Sequence, residues 1–169
     1  MTSLKWPVTV ALVVLALVLQ VSFFPHFSVH GVVPNVCLVV VVAAALVRGP
    51  EQAAVLGFVA GVLLDLAPPA DHVAGRWALA LVVVGYVAGL MRQDTRASAT
   101  TVVATVAASS FVGTSVYALS GLVLGDAVAG PGDLARVILV ALLWDVLLTP
   151  LVLPGLMRLL TQLEPAGAR

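Results

Sequence analysis

"VPNVCLVVVVAAALVRGPEQAAVLGFVAGVLLDL" runs from Val33 to Leu66 and decides the fold. Two apolar runs flank a short charged break, Arg48–Gly49–Pro50–Glu51. Pro34 stands near the start of the first run, where a helix tolerates a missing N–H. The second run closes on a carboxylate, Asp65. Sixteen residues of helix, as from Val32 to Val47, span only about 24 Å. That is short of the roughly 30 Å hydrocarbon core of a bilayer. Such helices either thin the bilayer or pack inside a bundle. A re-entrant pair is the alternative, but it would bury Arg48 and Glu51 at a tip inside the membrane, which is costly. Two true spans are the better reading.

Composition agrees outside this stretch. Of 169 residues, 62% are hydrophobic and only 9% charged, against about 25% charged in ordinary globular chains. This is a polytopic membrane protein of one domain, 1–169. Zero net charge gives no long-range field to recruit nucleic acid. The single cysteine, Cys37, can form no internal disulfide. Pro, Gly and charge divide the chain into six expected spans. They are Pro7 to Phe24, Val32 to Val47, Gln52 to Leu66, Ala74 to Met91, Thr100 to Leu124 and Leu134 to Leu160. The first is a retained span and not a signal peptide, since "QVSFFPHF" offers no small-residue cleavage site. With the N-terminus inside, Lys5, Arg48, Arg92, Arg96, Arg158 and Arg169 are cytoplasmic, and only Arg76 and Arg136 are outside. That positive-inside bias predicts both termini in the cytoplasm. The outer loops then carry Asp71, Asp126 and Asp133.

Few residues suggest chemistry. Gly57/Gly61, Gly85/Gly89 and Gly121/Gly125 form three GxxxG pairs, whose small faces predict close helix packing. Asp65 lies at the outer end of the third span, where it marks the interface, caps the turn before Pro68 or pairs with Arg76. Asp145 lies about 13 Å past Arg136 by helix rise. A carboxyl at that depth must be neutral or bonded. Its expected partners are hydroxyls of the fifth span, among Thr105, Ser109, Ser110, Thr114, Ser115 and Ser120; Thr105, Ser109 and Ser120 fall near one face. His26, His30 and His72 lack the spacing of a zinc site, and no nucleophile elbow or phosphate loop occurs. The sequence predicts no enzyme, no metal and no cofactor. Pro150 and Pro154 should bend the last helix.

The pattern resembles the MreD family of bacterial rod shape-determining proteins. The likeness is sharpest from Val33 to Met91: the proline-initiated second span, the charged turn, G-F-x-x-G-x-x-x-D, then "GRWALALVVVGYVAGLMR". "WDVLLTPLVLP" resembles the family's last span, with its proline at Pro150; "APPADHVAG" departs from the usual Gly/Ser-rich turn. The resemblance implies an all-α bundle of about six transmembrane helices, similar to the substrate-binding subunits of energy-coupling-factor transporters. It implies a scaffold or regulator of peptidoglycan elongation in the bacterial cytoplasmic membrane. The implied partners are an MreC-like bitopic protein, a RodA-type glycosyltransferase, a penicillin-binding transpeptidase and the MreB filament. By motif it points to Pro34, Gly57, Gly61, Asp65, Gly75, Gly85, Gly89 and Pro150; Arg76 and Asp145 join them from the reading of charge. The alternatives are a small-solute transport subunit, which would need convergent polar groups around Asp65, His72, Arg76 and Trp77, and a proton or ion pathway built on Asp145.

Overall fold

The computed structural model describes residues 5–68, 73–92, 98–125 and 130–164. Asp71, His72, Arg96, Asp126 and Arg169 lie outside them. The described residues form six helices: α1 (Lys5–Ser22), α2 (Val36–Arg48), α3 (Pro50–Asp65), α4 (Arg76–Leu90), α5 (Ala99–Leu124) and α6 (Pro131–Gln162). A 3-10 turn, Phe24–Phe27, follows α1. Among the described residues, extended pairing is limited to one bridge, Val29 with Val32.

α2 is the core. Its 13 residues are all buried except Val47, which is half-buried. A helix apolar on every side has no face for water or lipid, and α1, α3, α4, α5 and α6 all pack against it. It begins four residues later than the Val32 expected from hydropathy. Val29 and Val32 exchange backbone hydrogen bonds of 2.9 and 3.0 Å, and a residue before proline, here Val33, favours extended backbone. Asn35 then caps the helix, its Oδ1 accepting the Leu38 N–H at 2.9 Å. At the other end Gly49 adopts φ +88°, and Pro50 opens α3 at once. The remaining boundaries move for related reasons. Pro50 and Pro131 fit the first helical turn, so α3 starts before Gln52 and α6 before Leu134. α4 starts at Arg76 and not Ala74, because Gly75 takes a left-handed cap conformation with φ +104°.

Helix lengths give the bundle two heights. α1 to α4 have 18, 13, 16 and 15 residues, about 20–27 Å each. α5 and α6 have 26 and 32 residues, about 39 and 48 Å. Glu164, just past α6, bonds Arg48 at 2.7 Å and lies 3.5 Å from Lys5. The start of α1 and the ends of α2 and α6 are therefore level, and Arg48 stands at an end of the bundle. The α5–α6 hairpin overreaches the other helices at the opposite end, where Leu122, Val123, Leu124, Val137 and Leu139 are exposed. α1, α5 and α6 are long and apolar enough to cross a membrane. The chain is an all-α membrane bundle. α6 runs as one helix through Pro150 and Pro154. The missing N–H groups leave the carbonyls of Val146 and Pro150 without their usual helical donors.

Candidate functional site

The two buried carboxylates occupy matching positions, each at the N-terminus of a short helix that belongs to another part of the chain. Asp65 is the last residue of α3 and is 3% exposed. A carboxylate at the C-terminus of its own helix opposes that helix's dipole. Here it faces the start of α4 instead. Its Oδ2 accepts the N–H groups of Gly75 (2.8 Å) and Ala78 (3.1 Å), and its Oδ1 accepts that of Trp77 (3.0 Å). Gly75 has no side chain to cap α4, so Asp65 takes up three amides of the helix start from across the turn. A helix N-terminus is a ready anion site, and this one is filled by the protein itself. Beside it, Arg76 Nη2 donates to the Tyr117 carbonyl at 3.0 Å, and its guanidinium lies 4.1 Å from the Tyr117 ring centroid. Trp77 stacks on the same ring at 4.3 Å. These contacts fasten the start of α4 to α5.

Asp145 is 1% exposed. Its Oδ1 accepts the Asn35 backbone N–H at 2.8 Å, and its Oδ2 accepts the Ser110 hydroxyl at 2.7 Å. Gln20 of α1 completes the set, its Oε1 accepting the Cys37 N–H at 3.1 Å. The start of α2 is thus capped from α1, from α6 and by its own Asn35, while α5 orients the carboxyl through Ser110. Inside a membrane no water replaces these partners, and each open amide costs several kcal/mol. The hydroxyl expected from the sequence is present, but it is Ser110. Thr105 and Ser120 instead bond carbonyls of α5 itself, those of Thr101 and Tyr117. Among the described residues, Asn35 Nδ2 is buried without a hydrogen-bond partner.

Glycines join α3 to α4. A Cβ at Gly57 would strike the Leu81 carbonyl, and one at Gly61 the Ala78 backbone. A Cβ at Gly85 would strike the Ala53 carbonyl, and one at Gly89 the Pro50 backbone. The two GxxxG faces therefore meet each other, antiparallel, with backbone against backbone. Of the third pair, Gly121 is buried in α5. Gly125 ends α5 in the left-handed conformation, φ +85°, and a Cβ there meets no described atom.

Of the remaining residues singled out in the sequence, Pro34 precedes the α2 cap and Pro150 lies on the exposed side of α6, five residues from Asp145. Sequence reasoning passed over Gln20, Asn35 and the Arg48–Glu164 pair. Two of these carried a signal. Gln20 is a lone amide in an apolar run, and Asn35 sits directly before one, the place of an N-cap. The Arg48–Glu164 pair spans 116 positions and had none.

A family model described as "rod shape-determining protein MreD" matches residues 1–160 of the chain. No curated protein and no solved structure matches it, so the expected likeness to energy-coupling-factor subunits finds no counterpart there.

Proposed function

This chain belongs to the MreD family of rod shape-determining proteins, and on that premise we propose that it acts as a non-enzymatic scaffold for membrane-bound peptidoglycan elongation. The direct partner is an MreC-like bitopic protein. Through it the scaffold serves a RodA-type glycosyltransferase, a penicillin-binding transpeptidase and the MreB filament. The protein sits in the bacterial cytoplasmic membrane with both termini in the cytoplasm.

One observation carries this reading. Both buried carboxylates accept backbone N–H groups at the starts of helices. Those bonds are the work of structural caps: Asp65 holds the start of α4 and Asp145 the start of α2. A glycine-packed hairpin and two capped inner helices make a stiff body, which suits presenting a fixed surface to membrane partners.

Co-expression with an MreC-like protein, extraction in mild detergent and affinity capture of either chain tests the proposal. A stable complex is the expected result. Clean failure to co-purify, with both chains folded and present in the same membrane, would overturn it.

A further inference from the structure

The bundle turns apolar bands of two heights outward. On α5 the exposed large apolar residues run from Val103 to Leu124, and on α6 from Val137 to Leu159, about 32–33 Å along each helix. That matches the roughly 30 Å hydrocarbon core of a bilayer. At α3 they run from Val55 to Leu66 and on α4 from Leu79 to Leu90, only about 17 Å each. The helices themselves set this limit. α3 and α4 have 16 and 15 residues, about 22–24 Å. They are antiparallel with level ends, Gly89 against Pro50 and Gly61 against Ala78. Exposed Glu51 and Arg92 close one end. At the other end residues 66–68 and 73–75 lie outside any helix, and most of them are exposed. Backbone outside a helix cannot face hydrocarbon, where no water answers its polar groups. The apolar layer beside this pair is therefore no taller than the pair. The still shorter α2 is enclosed and meets no lipid.

We propose that the α3–α4 side of the bundle holds a locally thinned bilayer, with hydrocarbon about 6–8 Å shallower than along α5 and α6. Lipid is the occupant that this face fits. Close helix–helix contact in a membrane uses small residues, and the pair has spent its own on each other: Gly57, Gly61, Gly85 and Gly89 all face the α3–α4 seam. What remains outward is bulky, with Val55, Phe58, Leu79 and Val87 exposed. Half-exposed Tyr86 lies one turn, about 6 Å, from the α4 end that carries Arg92. An aromatic with a polar tip belongs at a membrane interface. α3, α4, α5 and α6 follow one another around α2, so the thin and full-height lipid layers meet along the α4–α5 boundary. Thinning rather than tilt answers the mismatch here, because tilt shortens the height that a helix covers.

The test places a nitroxide spin label on the full-length protein, at one introduced cysteine at a time. Leu66→Cys and Leu90→Cys mark opposite ends of the α3–α4 pair, and Leu147→Cys marks the middle of the α6 band. All three positions are exposed, so the changes do not threaten the fold, and the native Cys37 is fully buried and out of reach of the label. The protein is reconstituted in dimyristoleoyl, dioleoyl and dierucoyl phosphatidylcholine, whose chains lengthen in that order. Depth is read from collisions of the label with oxygen and with a water-soluble nickel chelate. As the chains lengthen, the Leu147 label should sink by several ångström, while the Leu66 and Leu90 labels should stay at the interface and shift by less than about 2 Å. Sinking of the Leu66 or Leu90 label in step with Leu147 would overturn the proposal, since the bilayer would then keep its full height beside α3 and α4. Shielding of both labels from both reagents would also overturn it, because a second copy of this chain would then cover the face in place of lipid.

Discussion

Replacing Asp65 by Asn keeps the shape of the side chain and removes one acceptor. Among the described residues, Oδ2 accepts two backbone amides and Oδ1 accepts one. The amide oxygen of Asn can take the place of Oδ2 and keep the bonds from Gly75 and Ala78. Its NH2 group then faces the Trp77 N–H, donor against donor. A buried donor left open costs about 1–3 kcal/mol. Loss of the negative charge at the α4 N-terminus adds about 0.3–2 kcal/mol. A total near 3 kcal/mol should lower the melting temperature by roughly 6–12 °C for a chain of this size. The melt can be followed through Cys37, which is fully buried in α2 and should react with a thiol dye only on unfolding. Hydrogen exchange should localise the damage, with the Trp77 amide losing protection while those of α5 keep theirs. An Asp65→Asn protein that melts within about 1 °C of the parent, with Trp77 still protected, would refute the view that Asp65 is the cap of α4.

Three further perturbations follow from the same contacts. Gly57→Ala or Gly85→Ala should force α3 and α4 apart and cost about 3 kcal/mol or more, whereas Gly132→Ala, with open space around it, should be neutral in the same melt; equal effects would argue against the seam. Asp145→Asn should be tolerated within about 1 kcal/mol, because the amide oxygen still accepts the Asn35 N–H and the Ser110 hydroxyl can reverse to accept from the amide; Asp145→Leu should yield little folded protein, and a well-folded Leu variant would contradict the capping role. Glu164→Gln leaves the buried Arg48 guanidinium without its counter-charge and should cost about 1–3 kcal/mol, read as a lowered melting temperature; an unchanged melt would show that the pair does not hold the ends of α2 and α6 together.

Asp65 and Asp145 show where the sequence was readable and where it was not. Both stood out as carboxyls in or beside oil, and the cost of burying them required partners. Chain distance hid those partners. The amides that Asp65 accepts lie 10 to 13 residues away, across a turn whose path no local pattern fixes. Asn35 lies 110 residues from Asp145. The fifth helix advertised its hydroxyls, but six candidates on a helix of uniform hydropathy left the choice of Ser110 to packing. The GxxxG pairs were visible as small faces. That two of them face each other and the third ends a helix depended on how α3, α4 and α5 are arranged.

The sequence alone determined the class of the molecule. Hydropathy and charge are summed along a segment, so they specify six apolar helices, their approximate limits and the membrane as their medium without knowledge of neighbours. The tertiary structure decided which helix became the core and what the polar residues do. A 13-residue helix too short to span the bilayer can be buried only if its open N-terminal amides are answered from elsewhere, and those answers come from Gln20 on α1, Asp145 on α6 and the helix's own cap. Hydrogen bonds of that kind depend on positions in space to within a few tenths of an ångström, and only the packed bundle supplies them.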